Sequence, residues 1–335
     1  MMRVLIDMDV HVSSLEKLKA IDGVSVVSVP PSDEPRELPS DLIGDVDFDF
    51  CTCLPTNLDA MKRLKVVQIA SAGYTQLFDL DLPKRGIRAC NASGVNDIPI
   101  AQWNIAMMIN LLRDVRGMIR NQEAGIWDRP ARFQSDLRGL TVGIWGYGGI
   151  GRETARLARA FGVKVHVLDV KVGTRPTMYA VEGTGDPEGV LPDKVFLLDQ
   201  QKDFLNSLDF LVLAMPLTNR TRGIIGKEQL SMLPTRAYVL NPARGPLIQE
   251  PALLDALRQG TIAGAALDTH YYYPMPADHP LWHFPNVIMT PHISGSTGSP
   301  NYLPLLWDIV IQNVQRFQSG RPLLNELNTS QLAGD

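Results

Sequence analysis

Apolar and polar positions follow one rhythm along most of this chain, with short β-rich runs separated by polar or helix-periodic stretches. In the first 91 residues the runs are Val4–Ile6, Val24–Val29, Phe48–Leu54, Val66–Ala70 and Ile87–Cys90. Spacings of about 20 residues leave room for a helix between successive strands, which predicts β-α-β units and a small parallel sheet covered by helices. Pro30-Pro31-Ser32-Asp33-Glu34-Pro35 reads as a loop between two of them.

Ile98–Arg120 predicts one long helix with Pro99 near its start. Its middle, Ile105–Leu112, is apolar nearly all round and should be buried on several sides. A second β-α alternation begins at Val142, with strands expected at Val142–Trp145, Val163–Leu168, Phe210–Ala214, Ala237–Leu240, Ile262–Leu267 and Val287–Met289. Six strands with a glycine turn after the first predict a doubly wound, nucleotide-binding sheet. Gly173–Val190, rich in Gly, Pro and Thr, reads as a long surface loop. A closing helix, Tyr302–Ser319, carries apolar residues at Leu305, Leu306, Ile309, Val310, Val314 and Phe317. It is expected to return to the first domain, because the second sheet is already complete.

A length of 335 residues suffices for two domains, and 45% hydrophobic with 20% charged residues fits a globular chain. The net charge of −4, without a basic block, argues against nucleic acid as the main partner. The apolar start is too short for a signal peptide and no run reaches membrane-spanning length, so the cytoplasm is the expected location. Cys51, Cys53 and Cys90 read as small core residues, the first two in a buried strand, and no metal site is expected.

The chemistry is concentrated in the second half. Gly146-Tyr147-Gly148-Gly149-Ile150-Gly151 lies between a strand and a helix, and Asp169 ends the next strand 18 residues after the last glycine. A lone turn of this kind is a weak signal, but here its context is met. Gly146 permits the tight turn, Gly148 lets a pyrophosphate approach the backbone, and Gly151 lets the helix pack closely on the sheet. The helix start offers N–H groups and partial positive charge to phosphates. Asp169 would accept bonds from ribose hydroxyls and repel a 2′-phosphate, so NAD is expected over NADP, with Lys171 and Arg175 close enough to soften the preference.

Arg244 follows a strand in Asn241-Pro242-Ala243-Arg244-Gly245, and His292 lies in Thr290-Pro291-His292-Ile293-Ser294-Gly295. Together with the glycine turn and Asp169, these segments resemble the D-isomer-specific 2-hydroxyacid dehydrogenase family over nearly the whole chain. Ser71-Ala72-Gly73-Tyr74 resembles its substrate loop, and Gly94-Val95-Asn96 the turn into its interdomain helix. Ala214-Met215-Pro216-Leu217-Thr218 resembles the loop under the riboses.

The resemblance implies a Rossmann cofactor domain, residues 99–299, inserted into a flavodoxin-like substrate domain formed by residues 1–98 and 300–335, with a cleft between them. It also implies homodimerisation through the cofactor domain, with the helix after Ile98 taking part. Arg244 would hold the carboxylate of a 2-keto or 2-hydroxy acid, helped by the N–H groups of Ala72 and Gly73. His292 would act as acid/base. Met215, Pro216, Ala243, His292 and Gly295 would line the cofactor, and Asp268 would stand near the nicotinamide carboxamide. His270, following Asp268 toward the site, is the further histidine to watch.

One position departs from the pattern. Where the family reads Asp-x-x-x-x-Glu-Pro, this chain has Asp268-Thr269-His270-Tyr271-Tyr272-Tyr273-Pro274. The glutamate that pairs with the histidine is replaced by Tyr273, and Asp278 is the nearest downstream carboxylate. A non-catalytic NAD(H)-sensing relative of the corepressor type, or a formate dehydrogenase-like enzyme, therefore stays open beside the dehydrogenase reading.

Overall fold

The computed structural model describes residues 1–129 and 135–335. The chain divides into two compact units, one of residues 1–96, 176–181 and 297–335, the other of residues 97–175 and 182–296.

In the first unit, β1 (Met2–Asp7), β2 (Val24–Ser28), β3 (Phe48–Cys51), β4 (Val66–Ile69) and β5 (Arg88–Cys90) form a parallel sheet in the order β2-β1-β3-β4-β5. Strand alternation sends Val4, Ile6, Phe48, Phe50 and Val66 to one face, and Leu5, Cys51, Val67 and Ile69 to the other. Helix α1 (Val12–Lys19) lies on the first face, and the short α2 (Ser40–Ile43) contributes Ile43 to the second. β3 is shorter than expected. Cys51 ends it, while Cys53 lies beyond, half-buried, with its thiol toward the Asp33 carbonyl.

The second unit opens with a corrected helix. Instead of one helix there are two, α3 (Asp97–Leu112) and α4 (Val115–Glu123). Asp114 adopts a left-handed conformation (φ 44°), and its carboxylate accepts the N–H of Gly117, capping the second helix. The apolar middle of α3 is not buried all round. Ile105, Met108 and Leu111 face the core, whereas Ile109 is exposed.

β6 (Thr141–Trp145), α5 (Gly149–Ala160), β7 (Lys164–Leu168), β8 (Lys194–Phe196), α6 (Gln201–Asn206), β9 (Phe210–Leu213), α7 (Lys227–Met232), β10 (Tyr238–Asn241), α8 (Glu250–Gln259), β11 (Gly264–Leu267) and β12 (Val287–Met289) follow. Their sheet is parallel, ordered β12-β11-β10-β9-β6-β7-β8. It has seven strands rather than six. The unforeseen β8 is a three-residue edge strand with Lys194 and Val195 exposed, too short to show an alternation. Helices α3 and α5 cover one face through Ile105, Met108, Ala155 and Ala158, while Phe204, Leu230 and Leu253 of α6 to α8 cover the other. Both sheets are thus doubly wound, as expected, and the strand order of the second reverses between β6 and β9, where such sheets bind ligands.

The stretch expected as a surface loop, Gly173–Val190, has no regular structure, but it is anchored by two buried side chains. Tyr179 is in the core of the first unit and Asp186 is buried in the second. Helix α9 (Tyr302–Gln318) packs Leu306, Trp307, Val310 and Val314 on the first sheet, and α10 (Thr329–Leu332) ends the chain's regular structure. No helix among the described residues is long and apolar enough to cross a membrane.

Candidate active site

Every chemical motif of the second unit emerges at the carboxyl end of one of its strands. The glycine turn follows β6, Asp169 follows β7, Met215 and Pro216 follow β9, Ala243 and Arg244 follow β10, Asp268 follows β11 and His292 follows β12. Parallel pairing aligns these ends along one edge of the sheet.

The glycine turn has the shape an anion needs. Gly146 has φ +101°, and a Cβ there would strike the backbone of Ala214 and Met215 at 2.8 Å. Gly148 caps α5 and faces open space at the helix start, where a phosphate would be held, while Gly149 and Gly151 are buried and Gly149 packs against the Asp97 carboxylate. Asp169 is bound into this turn. One carboxylate oxygen accepts the N–H of Tyr147, the other that of Lys171 at 2.9 Å, and the Arg175 guanidinium lies 3.8 Å away. Each oxygen keeps a lone pair, so the residues present fit a dinucleotide, although Arg175 offsets part of the repulsion of a 2′-phosphate. Met215 is buried in the hydrophobic core, while its neighbour Pro216 is exposed.

Arg244 is half-buried. Its main-chain N–H donates to Asn241 Oδ1 at 3.2 Å and its guanidinium to the carbonyl of Ala243 at 2.7 Å. Among the described residues it forms no ion pair. Burial lowers its proton affinity, which the nearby Tyr273 partly restores.

His292 sits at φ +58° with its N–H shared between the carbonyls of Asp268 (2.8 Å) and Thr290 (3.0 Å). The residue is exposed, yet the protein packed against it strips enough water to push its pKa below the ordinary imidazole value. Arg244 and His270 push the same way, and Asp268 opposes them. Asp278 is exposed in the following loop.

Asp268 itself is fully buried. One oxygen accepts from Thr290 Oγ1 (2.6 Å) and Ile293 N (2.9 Å), the other from Ser294 N (3.0 Å) and Ser294 Oγ (2.5 Å). All four lone-pair directions are used inside the protein. The Asp268 carboxylate is a clamp on the loop from His292 to Gly295.

Tyr273 lies where the missing glutamate would stand in sequence, and its ring centroid is 5.6 Å from that of His292. Its hydroxyl accepts the main-chain N–H of His270 at 3.1 Å, and the Tyr273–Pro274 bond is cis. In the first unit, Ser71 Oγ donates to Gly73 O at 2.6 Å and Asn91 Nδ2 to Ala72 O at 2.8 Å, fixing the substrate-loop candidate. The N–H groups of Ala72 and Gly73 meet no protein acceptor among the described residues.

Residues 105–294 match the family described as D-isomer specific 2-hydroxyacid dehydrogenase, NAD binding domain. The chain belongs to the D-isomer-specific 2-hydroxyacid dehydrogenase family. It is 33% identical to a glyoxylate reductase of Thermofilum pendens over 262 residues, 75% of this chain and 73% of that one. A D-3-phosphoglycerate dehydrogenase of Bacillus subtilis is 34% identical over 275 residues, 82% of this chain, which spans about half (49%) of that relative's length. A solved structure of an NADPH-dependent glyoxylate/hydroxypyruvate reductase from Sinorhizobium meliloti, in complex with citrate, aligns with TM-score 0.73 at 26% identity over 98% of both chains.

Within this member of the family, three groups escaped the sequence reading. Arg152, next after the glycine turn, is fully buried and donates to the carbonyls of Tyr147, Val172, Gly173 and Asp186. Tyr147 donates its hydroxyl to Asp186 at 2.6 Å. Trp103 of α3 donates to Thr290 Oγ1 at 3.1 Å. A charged side chain inside an apolar-periodic helix was the available signal for Arg152; the other two contacts join residues distant in sequence.

Proposed function

We propose that this protein is an NAD-dependent oxidoreductase that moves a hydride between the nicotinamide ring and C2 of a 2-keto or 2-hydroxy acid. One observation supports it above the others. Arg244, half-buried and without an ion-pair partner among the described residues, follows β10 at the sheet edge that also carries His292 and the glycine turn. A desolvated cation lacking a counter-ion is costly, and a substrate carboxylate is the counter-ion that a planar guanidinium holds best.

The glycine turn would hold the pyrophosphate and Asp169 the ribose hydroxyls. When bound, the nicotinamide supplies or accepts the hydride. His292 gives a proton to the carbonyl oxygen in reduction and takes one from the hydroxyl in oxidation. Ala72 and Gly73 keep the substrate role that the resemblance gives them, with their N–H groups as donors. A panel of 2-keto acids, 2-hydroxy acids and formate, followed by NADH and NADPH absorbance, tests the reaction class. No turnover with any 2-keto or 2-hydroxy acid would overturn it.

We further assign homodimerisation to the cofactor-binding unit. Ile109, Ile119, Ile126 and Trp127 expose apolar surface along α3, α4 and the residues after them, and Ile119 with Trp282 lines an open cavity of about 380 Å³. Light scattering of the purified protein checks the assembly, and a monomer at micromolar concentration would reject it.

A further inference from the structure

We propose that His270 is a positioning residue for His292 and acts through the carbonyl of Thr290. The proposal rests on the reading of His292 as the acid/base group. His270 Nε2 lies 2.8 Å from the Thr290 carbonyl, so Nε2 carries the hydrogen and donates it. The same carbonyl accepts the His292 N–H at 3.0 Å. His292 has a left-handed backbone, which a non-glycine residue keeps only when its neighbours hold it. Thr290 is therefore the anchor; its N–H donates to the Leu267 carbonyl, and three further bonds hold its hydroxyl and carbonyl. Trp103 donates to its hydroxyl, its hydroxyl donates to Asp268, and His270 fixes its carbonyl.

Residue 270 also meets the other members of the site. Its main-chain N–H donates to the Tyr273 hydroxyl, and its ring lies 6.3 Å from the Tyr273 ring, which in turn contacts His292. Gly245, next to Arg244, packs so closely on the His270 backbone that a Cβ would collide with it. The other ring nitrogen reinforces the case. His270 is only 7% exposed, and its Nδ1 is buried with no partner among the described residues. A bare buried nitrogen destabilises the fold, and a phenylalanine would fill the space without one. What the imidazole adds is the Nε2–H bond to Thr290.

The charged and titratable groups around His292 are Arg244 after β10, Asp268 and His270 after β11, and Tyr273 in the following loop. Two variants test the positioning. His270→Phe keeps the ring volume and loses the Nε2–H; His270→Gln places an amide N–H at the same distance along the side chain.

With a 2-keto acid that the wild type reduces, His270→Phe should lower kcat by about tenfold, while His270→Gln should recover most of it, the loss of one backbone hydrogen bond setting the scale. NADH affinity should stay unchanged in both. NMR of the His292 main-chain amide, which shares the Thr290 carbonyl with His270 and needs no substrate, should show a displaced resonance in His270→Phe and a restored one in His270→Gln. A His270→Gln variant as slow as His270→Phe, or a His292 amide unmoved in His270→Phe, would overturn the proposal. If the wild type reduces no 2-keto acid, the proposed reaction fails separately, and the NMR comparison alone decides the placement of His270.

Discussion

The Tyr273 ring rests 5.6 Å from that of His292, inclined at 57°, and its hydroxyl is turned to the His270 backbone rather than to the histidine. The aromatic contact supplies packing without a carboxylate charge. Together with desolvation and the Arg244 guanidinium, that accounts for a His292 pKa displaced downward.

Reduction needs protonated His292, so it should weaken as pH rises through this lowered value, whereas oxidation, which needs the neutral ring, should persist at neutral pH. Tyr273→Glu places a carboxylate beside the imidazolium and should move the falling limb of kcat/KM for reduction upward by about one unit, ~1.4 kcal/mol. The check is a pH profile of both proteins. An unshifted limb in a folded, NADH-binding variant would show that residue 273 does not govern His292.

Arg244→Lys keeps the charge and loses the planar fork. Turnover should fall sharply while NADH binding stays nearly intact, since one lost charge-assisted bond costs about 1.5–3 kcal/mol. Steady-state kinetics with a direct NADH titration separate the two effects. Turnover within about threefold of wild type would reject the anchor role.

Asp169 should favour NAD, and Asp169→Ala should narrow the gap between NAD and NADP. The Arg175 guanidinium, 3.8 Å from the carboxylate, would then be free to meet a 2′-phosphate. The ratio of kcat/KM for the two reduced cofactors reads this out, and equal use of both by the unmodified protein would sink the idea.

A further prediction concerns stability. Asp49 of β3 is fully buried, and neither carboxyl oxygen has an N–H or O–H donor among the described residues. Burial first, then the neighbouring Asp7, raises its pKa from 3.8 to about 7, opposed only by the weakly donating Cys51 thiol. Between those values the unfolded chain has released the proton and the folded chain still holds it. This group's contribution to stability therefore falls as pH rises from 3.8 to about 7. Asp49→Asn should remove that loss, raising Tm more at about pH 8 than at about pH 5. An equal change at both would show that Asp49 does not titrate on unfolding.

The sequence by itself determined the two parallel sheets, because strand-sized apolar runs at helix-sized intervals have few other ways to bury themselves. It also determined the glycine turn, Asp169, Arg244 and His292, each tied to the end of a strand by local spacing. Local pattern did not reach the break at Asp114, where one side chain captures the Gly117 N–H and starts a new helix. Nor did it reach β8, an edge strand made by pairing with β7 rather than by its own periodicity. The roles within the site were decided by tertiary structure alone. Asp268 became a loop clamp because four donors from Thr290, Ile293 and Ser294 converge on it. His270 reached the Thr290 carbonyl 20 residues away because β11 and β12 pair in register and bring their carboxyl ends together. Hydrogen bonds of that kind depend on distances across the sheet, which a linear sequence does not carry.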